Sequence, residues 1–196
     1  MRSIEWSSGT WHGQPVRTSV EPAGVLSVEP GASSDLWRHT SYGFVHDDAP
    51  ALLTPFPVGS AMEVDFPLDY TEQFDQAGVL VWVDDRTWVK AGVEVSDGHP
   101  QVGAVVTREF SDWSVAPVPD WAGHEVTVRV SRTGDALTVR ARVAGEQWRL
   151  VRLAPLAPDA DASAGPYCCS PSRAGLTVRF TDWRLGPADA ALHPEE

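Results

Sequence analysis

Glycine and proline recur so often along this chain that they limit what it can fold into. There are 16 Gly and 16 Pro among 196 residues, and no stretch free of both exceeds 13 residues. Because proline breaks helices and glycine weakens them, this spacing excludes long helices, helical bundles and a transmembrane helix. The segments between them alternate, with β-branched residues at every second position, which is typical of strands. The sequence therefore predicts an all-β protein.

The alternating segments are short and are joined by turns, which favours an antiparallel two-sheet β-sandwich of the jelly-roll type. The clearest predicted strands are residues 24–29, 61–68, 76–84, 88–96, 102–109, 125–132, 136–143, 147–153 and 176–185. Residues 155–172 are rich in Pro, Ala and Asp and predict a surface loop. No clear linker divides the chain, so we expect a single domain over residues 1–186 and a flexible acidic tail at 187–196.

Charge and cysteine content restrict the partners and the compartment. Fifteen basic residues against 27 acidic ones give a net charge of −12, which disfavours nucleic acid and anionic membranes as partners. Cys168 and Cys169 are adjacent and cannot build a disulfide framework, so we expect two thiols in a reducing compartment. With no apolar signal segment at the N-terminus, this predicts a cytoplasmic location. Phosphate-binding and catalytic motifs are absent and the histidines are scattered, so we expect neither cofactor nor metal.

Strands 76–84 and 88–96 predict a polar sheet face. If Val83 lies opposite Val89, the valines of both strands point into one core and the other side chains share the outer face. Gly78 and Gly92 would leave open space on that face. The polar and tryptophan side chains predicted there are Gln76, Trp82, Trp88, Lys90, Glu94 and, from strand 102–109, Thr107.

The residues of this face allow both a functional and a structural interpretation. Lys90 and Glu94 lie about 13 Å apart along a strand, too far for a direct ion pair, so they either flank a ligand or pair with cross-strand neighbours. Trp82 and Trp88 could stack on a sugar ring or form a second apolar layer beneath a loop.

Two loops carry further site candidates. We expect Trp37, His39 and Trp113 at the mouth of the concave sheet face, with Asp112 near Lys90 or Arg108. His39 could act as a general acid or base, although a lone histidine is more often structural. Asp112 could orient a cation at the site or simply cap a turn.

Several motifs together resemble the DUF1349 family. They are Asp35-Leu36-Trp37-Arg38, Phe74-Asp75-Gln76-Ala77-Gly78, Trp88-Val89-Lys90-Ala91-Gly92-Val93-Glu94, Val105-Val106-Thr107-Arg108, Ser111-Asp112-Trp113-Ser114 and Cys169-Ser170-Pro171. The resemblance extends from Trp6 to Trp183 and implies a concanavalin A-like jelly roll. The family includes a yeast regulator of enolase expression and has no established general activity. Similar folds serve as lectins, glycosidases and accessory domains of β-xylosidases, so the resemblance implies the fold more firmly than the chemistry.

Three functions remain open at this point. The first is binding of a carbohydrate or another small polar metabolite on the concave sheet face. The second is an enzyme of sugar metabolism that uses Glu94 as acid or base, where the Lys90 ammonium would keep Glu94 ionised. The third is a regulatory module that binds another protein. The predicted ligand-binding residues are Trp37, His39, Gln76, Trp82, Trp88, Lys90, Glu94, Thr107, Arg108, Asp112 and Trp113, and the catalytic candidates among them are Glu94, Lys90, His39 and Asp112.

Overall fold

The computed structural model describes residues 1–193 and consists of antiparallel strands with two short 3-10 turns, Trp6–Ser8 and Pro119–Trp121. In chain order the strands are β1 Arg2–Ser3, β2 Thr10–His12, β3 Arg17–Val20, β4 Leu26–Glu29, β5 Leu36–Arg38, β6 Val45–Asp47, β7 Ala51–Pro55, β8 Ser60–Pro67, β9 Gln76–Asp84, β10 Thr87–Ser96, β11 His99–Arg108, β12 Phe110–Pro117, β13 Glu125–Thr133, β14 Ala136–Val143, β15 Arg149–Pro155, β16 Ser163–Cys169, β17 Val178–Phe180 and β18 Asp182–Pro187. Within the described part of the chain, no helix is long and apolar enough to cross a bilayer.

Two large sheets form the body of the molecule. One has six strands in the order β1-β18-β8-β13-β14-β15, and the other has seven in the order β12-β11-β10-β9-β16-β7-β2. A small sheet, β17-β4-β3, and the hairpin β5-β6 complete the fold. The non-sequential strand order within antiparallel sheets is that of a jelly-roll sandwich. The predicted fold class is confirmed.

The main core lies between the two large sheets. Val79 and Val93 contribute from the seven-stranded sheet, and Val64 and Val128 from the six-stranded one. All four are at most 1% exposed. Alternation along each strand sends every second side chain into this core and its neighbours to the outer face. The outer face of the seven-stranded sheet carries the site.

The central pairing differs from the prediction by two residues. Val89 lies opposite Val81 instead of Val83, because the β9–β10 turn is tight and the ladder has an irregularity between Thr87 and Trp88. A shift of two residues leaves every side chain on its predicted face. Glu94 accordingly lies opposite Gln76. The predicted sharing of one face is confirmed.

The glycines of this face serve a different purpose from the one predicted. Gly78 and Gly92 are paired across β9 and β10. A Cβ on Gly78 would lie 2.0 Å from the carbonyl oxygen of Ala91, and one on Gly92 would lie 2.0 Å from that of Ala77. These residues therefore permit close approach of the two backbones and do not provide open floor space.

The prediction of a surface loop over residues 155–172 is wrong for its second half. Strand β16 lies inside the seven-stranded sheet between β9 and β7 and is almost wholly buried. Its pairing with β7 is interrupted at Gly165 and Pro166, which accommodates a residue without an N–H. Proline and the lack of alternation conceal this strand in the sequence.

The segment after β18 packs on the six-stranded sheet as far as Leu192. Asp189 accepts hydrogen bonds from Arg129 (Nε to Oδ1, 2.8 Å) and from Arg140, and Arg140 also donates to the Leu192 carbonyl. This differs from the flexible tail that the composition predicts for residues 187–196, of which 194–196 lie outside the described residues.

Candidate functional site

A second, smaller apolar cluster covers part of the outer face. The segment that contains β5 and β6 crosses this face, and Leu36 packs there with Leu80, Trp88 and Tyr167. Trp88 is 1% exposed and lies within this cluster. The outer face is therefore apolar and closed at one end, and the polar residues of β9 and β10 occupy the remainder.

Beside this cluster the outer face contains a cavity of about 310 Å³. Its size is at the lower end of the range for sites that hold small molecules, roughly 300–1,000 Å³. It is lined by Asp35, Trp37, Tyr42, Phe44, Phe74, Gln76, Lys90, Glu94, Val105, Trp113, Pro171 and Ser172. We call it the outer-face cavity.

A buried ion pair forms part of its floor. Lys90 Nζ donates to Asp35 Oδ1 at 2.7 Å, with side chains 4% and 16% exposed. The backbone N–H of Leu36 donates to the same carboxylate oxygen. Burial, the largest single effect, lowers the pKa of Lys90, but the charge and hydrogen bond of Asp35 together with the nearby Cys169 and Glu94 leave it raised. Lys90 is thus a fixed ammonium whose charge Asp35 compensates.

Two neighbouring acceptors on the floor have no protein partner within residues 1–193. They are Gln76 Oε1 and Glu94 Oε1, both buried as atoms. Gln76 is held from its other end, because its Nε2 donates to the Phe74 carbonyl at 3.2 Å. A buried acceptor without a donor costs about 1–3 kcal/mol. The floor therefore has two places for hydrogen-bond donors of a ligand.

Glu94 does not remain ionised in the way the sequence predicts. Burial raises its pKa, the Lys90 ammonium opposes part of this effect, and the Asp35 and Asp97 carboxylates add to it, giving a pKa of about 7. The Lys90 ammonium therefore does not keep Glu94 ionised, because burial has the larger effect on its pKa. Glu94 therefore changes its charge near neutral pH.

Aromatic rings from the β5–β6 hairpin form one wall of the cavity. Tyr42 and Phe44 are stacked with ring centroids 5.4 Å apart, and Trp37 meets Tyr42 edge-on at 5.6 Å. The Trp37 indole donates to the Thr40 carbonyl at 2.9 Å, which fixes its ring. Tyr42 and Phe44 are both largely exposed. Trp113 of β12 and Phe74 contribute from other sides.

The segments on either side of the cavity are held by a buried carboxylate. Asp75 is fully buried and accepts from Arg173 Nε at 3.1 and 3.2 Å, one bond to each of its carboxylate oxygens. Phe74, the residue before it, has a φ of 66°, a left-handed conformation that non-glycine residues seldom adopt. Pro171 and Ser172 line the cavity immediately before Arg173. Asp75 thus ties together two segments that line the cavity.

The structure brings about half of the predicted ligand-binding residues into this cavity. Those that line it are Trp37, Gln76, Lys90, Glu94 and Trp113. Four of them belong to β9, β10 and β12 of the seven-stranded sheet, and Trp37 comes from the β5–β6 hairpin. The predicted separation of Lys90 and Glu94 argues against a direct ion pair between them, and in the structure Lys90 pairs with Asp35.

The two predicted sugar-stacking tryptophans of β9 and β10 do not line the cavity. Trp88 is buried in the outer apolar cluster, and Trp82 packs with His12 at a ring distance of 4.0 Å. Both belong to the apolar layer beneath the covering segment, which was the alternative interpretation. Alternation gives the face on which a side chain lies but not which segment covers it.

The remaining predicted residues also have structural roles. The His39 ring packs on Phe110 at 5.5 Å, and Thr107 shares a buried hydrogen bond with Ser111. Arg108 donates to the Pro155 carbonyl. Asp112 is exposed and pairs with Arg152 at 2.7 Å, so the expected contact with Lys90 or Arg108 is wrong. Neither His39 nor Asp112 lines the cavity: His39, which follows β5, packs on the first residue of β12, and Asp112 of β12 pairs with Arg152 of β15.

Sequence reasoning missed Asp35 and most of the aromatic wall. Asp35 lies two residues before Trp37 in the sequence, but its contact with Lys90, 55 residues away, follows only from the fold. Tyr42 and Phe44 flank Gly43 in a polar loop and alternate with it. That aromatic-Gly-aromatic pattern is the one signal that could have indicated an exposed pair.

Known proteins similar to this chain match over nearly its whole length. Residues 11–188 match the model of a family described as "Protein of unknown function (DUF1349)". "Regulation of enolase protein 1" of Saccharomyces cerevisiae is 36% identical over 193 residues, which cover 98% of this chain and 96% of that protein. The crystal structure of a functionally unknown protein from the same yeast matches with a TM-score of 0.87 and 34% identity, covering 95% of this chain and all of that one.

A carbohydrate-active enzyme shares the fold at lower identity. The xylan β-1,4-xylosidase of Bacillus halodurans matches with a TM-score of 0.70 and 14% identity, over 93% of this chain and 38% of that one. This likeness establishes the sandwich fold alone. Because the family model and the yeast relative both extend over most of the sequence, this chain belongs to the DUF1349 family.

Proposed function

We propose that this protein binds a small hydroxyl-rich ligand, a carbohydrate or a polyol, in the outer-face cavity. The observation that carries the proposal is the pair of unsatisfied acceptors, Gln76 Oε1 and Glu94 Oε1, at the base of an aromatic-walled cavity. A ligand that donates to both would recover the hydrogen bonds that the folded chain leaves unmade.

The chemistry of the walls fits the same ligand class. Carbohydrates have hydroxyl groups at their edges and C–H groups on their ring faces, and aromatic rings pack against such C–H faces. Trp37 and Trp113 provide rings on two sides of a floor that is polar at Gln76 and Glu94. The xylosidase of similar fold is named for a carbohydrate substrate, which is in keeping with the proposal. The name of the yeast relative refers to regulation of enolase and leaves the chemistry of the cavity open.

Isothermal titration with neutral monosaccharides and polyols tests the proposal, using glucose, xylose, mannose and glycerol as probes. We expect at least one sugar to bind, and Trp113→Ala to weaken that binding about tenfold or more. Trp148→Ala is the matched control, because Trp148 contacts Arg142 outside the cavity and its loss should leave binding unchanged. Binding that survives both Trp113→Ala and Glu94→Gln would place the ligand elsewhere and refute the proposal.

A second candidate function is acid–base catalysis on a sugar. The observation that favours it is Glu94, whose pKa of about 7 suits a group that both gives and takes a proton at neutral pH, in a cavity that also contains a second carboxylate, Asp35. Hydrolysis of p-nitrophenyl glycosides tests it. The rate should depend on a group with a pKa near 7 and be abolished by Glu94→Gln. A rate unaffected by that change would exclude Glu94 as the acid.

A further inference from the structure

The charges of the outer-face cavity favour a ligand that carries a positive charge. Among residues 1–193, those that line it include two carboxylates, Asp35 and Glu94, and one cation, Lys90. Lys90 is bonded to Asp35 at 2.7 Å, so its charge is compensated within the protein. Glu94, in contrast, has no direct ion pair within residues 1–193, and its Oε1 has no hydrogen-bond donor. The chain as a whole carries a net charge of −12, which adds a weak long-range attraction for cations.

The aromatic lining also favours a positively charged ligand. Five rings border the cavity, from Trp37, Tyr42, Phe44, Phe74 and Trp113. Aromatic faces attract ammonium groups, and rings grouped around a carboxylate are a recurrent means of holding a substituted ammonium. None of the described residues that line the cavity supplies a cation for these rings, because Lys90 is engaged with Asp35.

The floor atoms that lack a partner are hydrogen-bond acceptors, and they favour a ligand that donates hydrogen bonds. Glu94 Oε1 has no donor within residues 1–193, and neither has Gln76 Oε1, which belongs to a residue 4% exposed and is held in place through its Nε2. An anionic ligand such as a sugar phosphate or sugar acid would place further acceptors and negative charge against them. An ammonium that carries N–H or hydroxyl donors would satisfy them.

We propose that the ligand of the outer-face cavity carries an ammonium group, as an amino sugar or amino alcohol does, held between the aromatic rings and Glu94. This inference deepens the proposed function and rests on it for the location of the site. It assigns to Glu94 the role of counter-ion, and to Gln76 that of acceptor for a neighbouring hydroxyl.

Two matched probe pairs test the inference on the intact protein by isothermal titration. The first is choline against 3,3-dimethyl-1-butanol, its neutral isostere, which differ only in the charge of the quaternary centre. The second is glucosamine against glucose, at about pH 7, where the amine is largely protonated and Glu94, with a pKa of about 7, is partly ionised. We expect the charged member to bind at least about tenfold more tightly in each pair. Glucose 6-phosphate should bind more weakly than glucose.

A variant links the preference to the proposed counter-ion. Glu94→Gln retains the shape of the side chain and removes its charge, so it should reduce the preference for choline over its isostere to about twofold or less. Glu5→Gln changes an exposed carboxylate that does not line the cavity and should leave the preference intact.

The outcomes separate this inference from the proposed function. If glucose binds and glucosamine binds no more tightly, the ammonium inference is overturned and the proposed function stands. If choline binds in preference to its isostere and neither sugar binds, the carbohydrate proposal fails and the ammonium site stands. If none of the four probes binds, both are overturned.

Discussion

Glu94→Gln should make the protein more stable above neutral pH while leaving it unchanged in acid. The folded chain holds the pKa of Glu94 at about 7, against an ordinary value of 4.5. Since the folded state then binds this proton more tightly than the unfolded state, wild-type stability falls as pH rises from about 4.5 to 7 and is level above that. The shift corresponds to about 3 kcal/mol in total. A glutamine at this position is neutral in both the folded and the unfolded state, so the stability of the variant does not fall in this way.

Urea denaturation of both proteins between pH 4.5 and 8 gives the difference in unfolding free energy directly, and the other carboxylates cancel in it. We expect the variant to gain up to about 3 kcal/mol over wild type at pH 8 and nothing at pH 4.5. Glu5→Gln changes an exposed carboxylate and should follow the wild-type curve. A difference that stays within about 0.5 kcal/mol across the whole range would refute the buried, raised-pKa state of Glu94.

Three further changes probe the elements that hold the site, each measured by urea denaturation at pH 7. Lys90→Met leaves the Asp35 carboxylate unpaired and should cost about 2–3 kcal/mol, and a loss below ~0.5 kcal/mol would show that the pair contributes little. Gly78→Ala places a Cβ 2.0 Å from the Ala91 carbonyl oxygen and should cost about 1–3 kcal/mol or more, whereas Gly31→Ala, with open space around it, should be neutral. Arg173→Met leaves the fully buried Asp75 without its counter-ion and should cost about 2 kcal/mol, most of which Asp75→Asn should restore in the double variant. Full stability of Arg173→Met would contradict that role.

The sequence predicts the strands and the faces well because both depend on local alternation. The two-residue difference in register at Val89 leaves the outer face intact, since only an odd shift exchanges the faces of a strand. Strand β16 escapes prediction because Pro166 and a loop-like composition conceal a segment whose strand conformation depends on its neighbours β9 and β7.

The site is less predictable because it depends on contacts between distant segments. Asp35 and Lys90 meet across 55 residues, and burial of Glu94 raises its pKa more than the Lys90 ammonium lowers it. Trp88 has the right face and the right neighbours for a ligand contact, but the segment around Leu36 covers it. Sequence patterns specify the direction of a side chain, whereas access to solvent is decided by the loops that cross the sheet.

The central claim is that a small hydroxyl-bearing ligand enters the outer-face cavity, and the tryptophan indole N–H signals test it most directly. In NMR spectra of the 15N-labelled protein, assigned with single Trp→Phe variants, addition of glucosamine should shift the signals of Trp37 and Trp113, which line the cavity. The signals of Trp148, which contacts Arg142, and Trp6, which stacks on Trp183, should remain in place. Saturable shifts confined to Trp37 and Trp113 are the predicted result. Shifts confined to Trp148 or Trp6, or no shift with high concentrations of either glucosamine or glucose, would contradict the account.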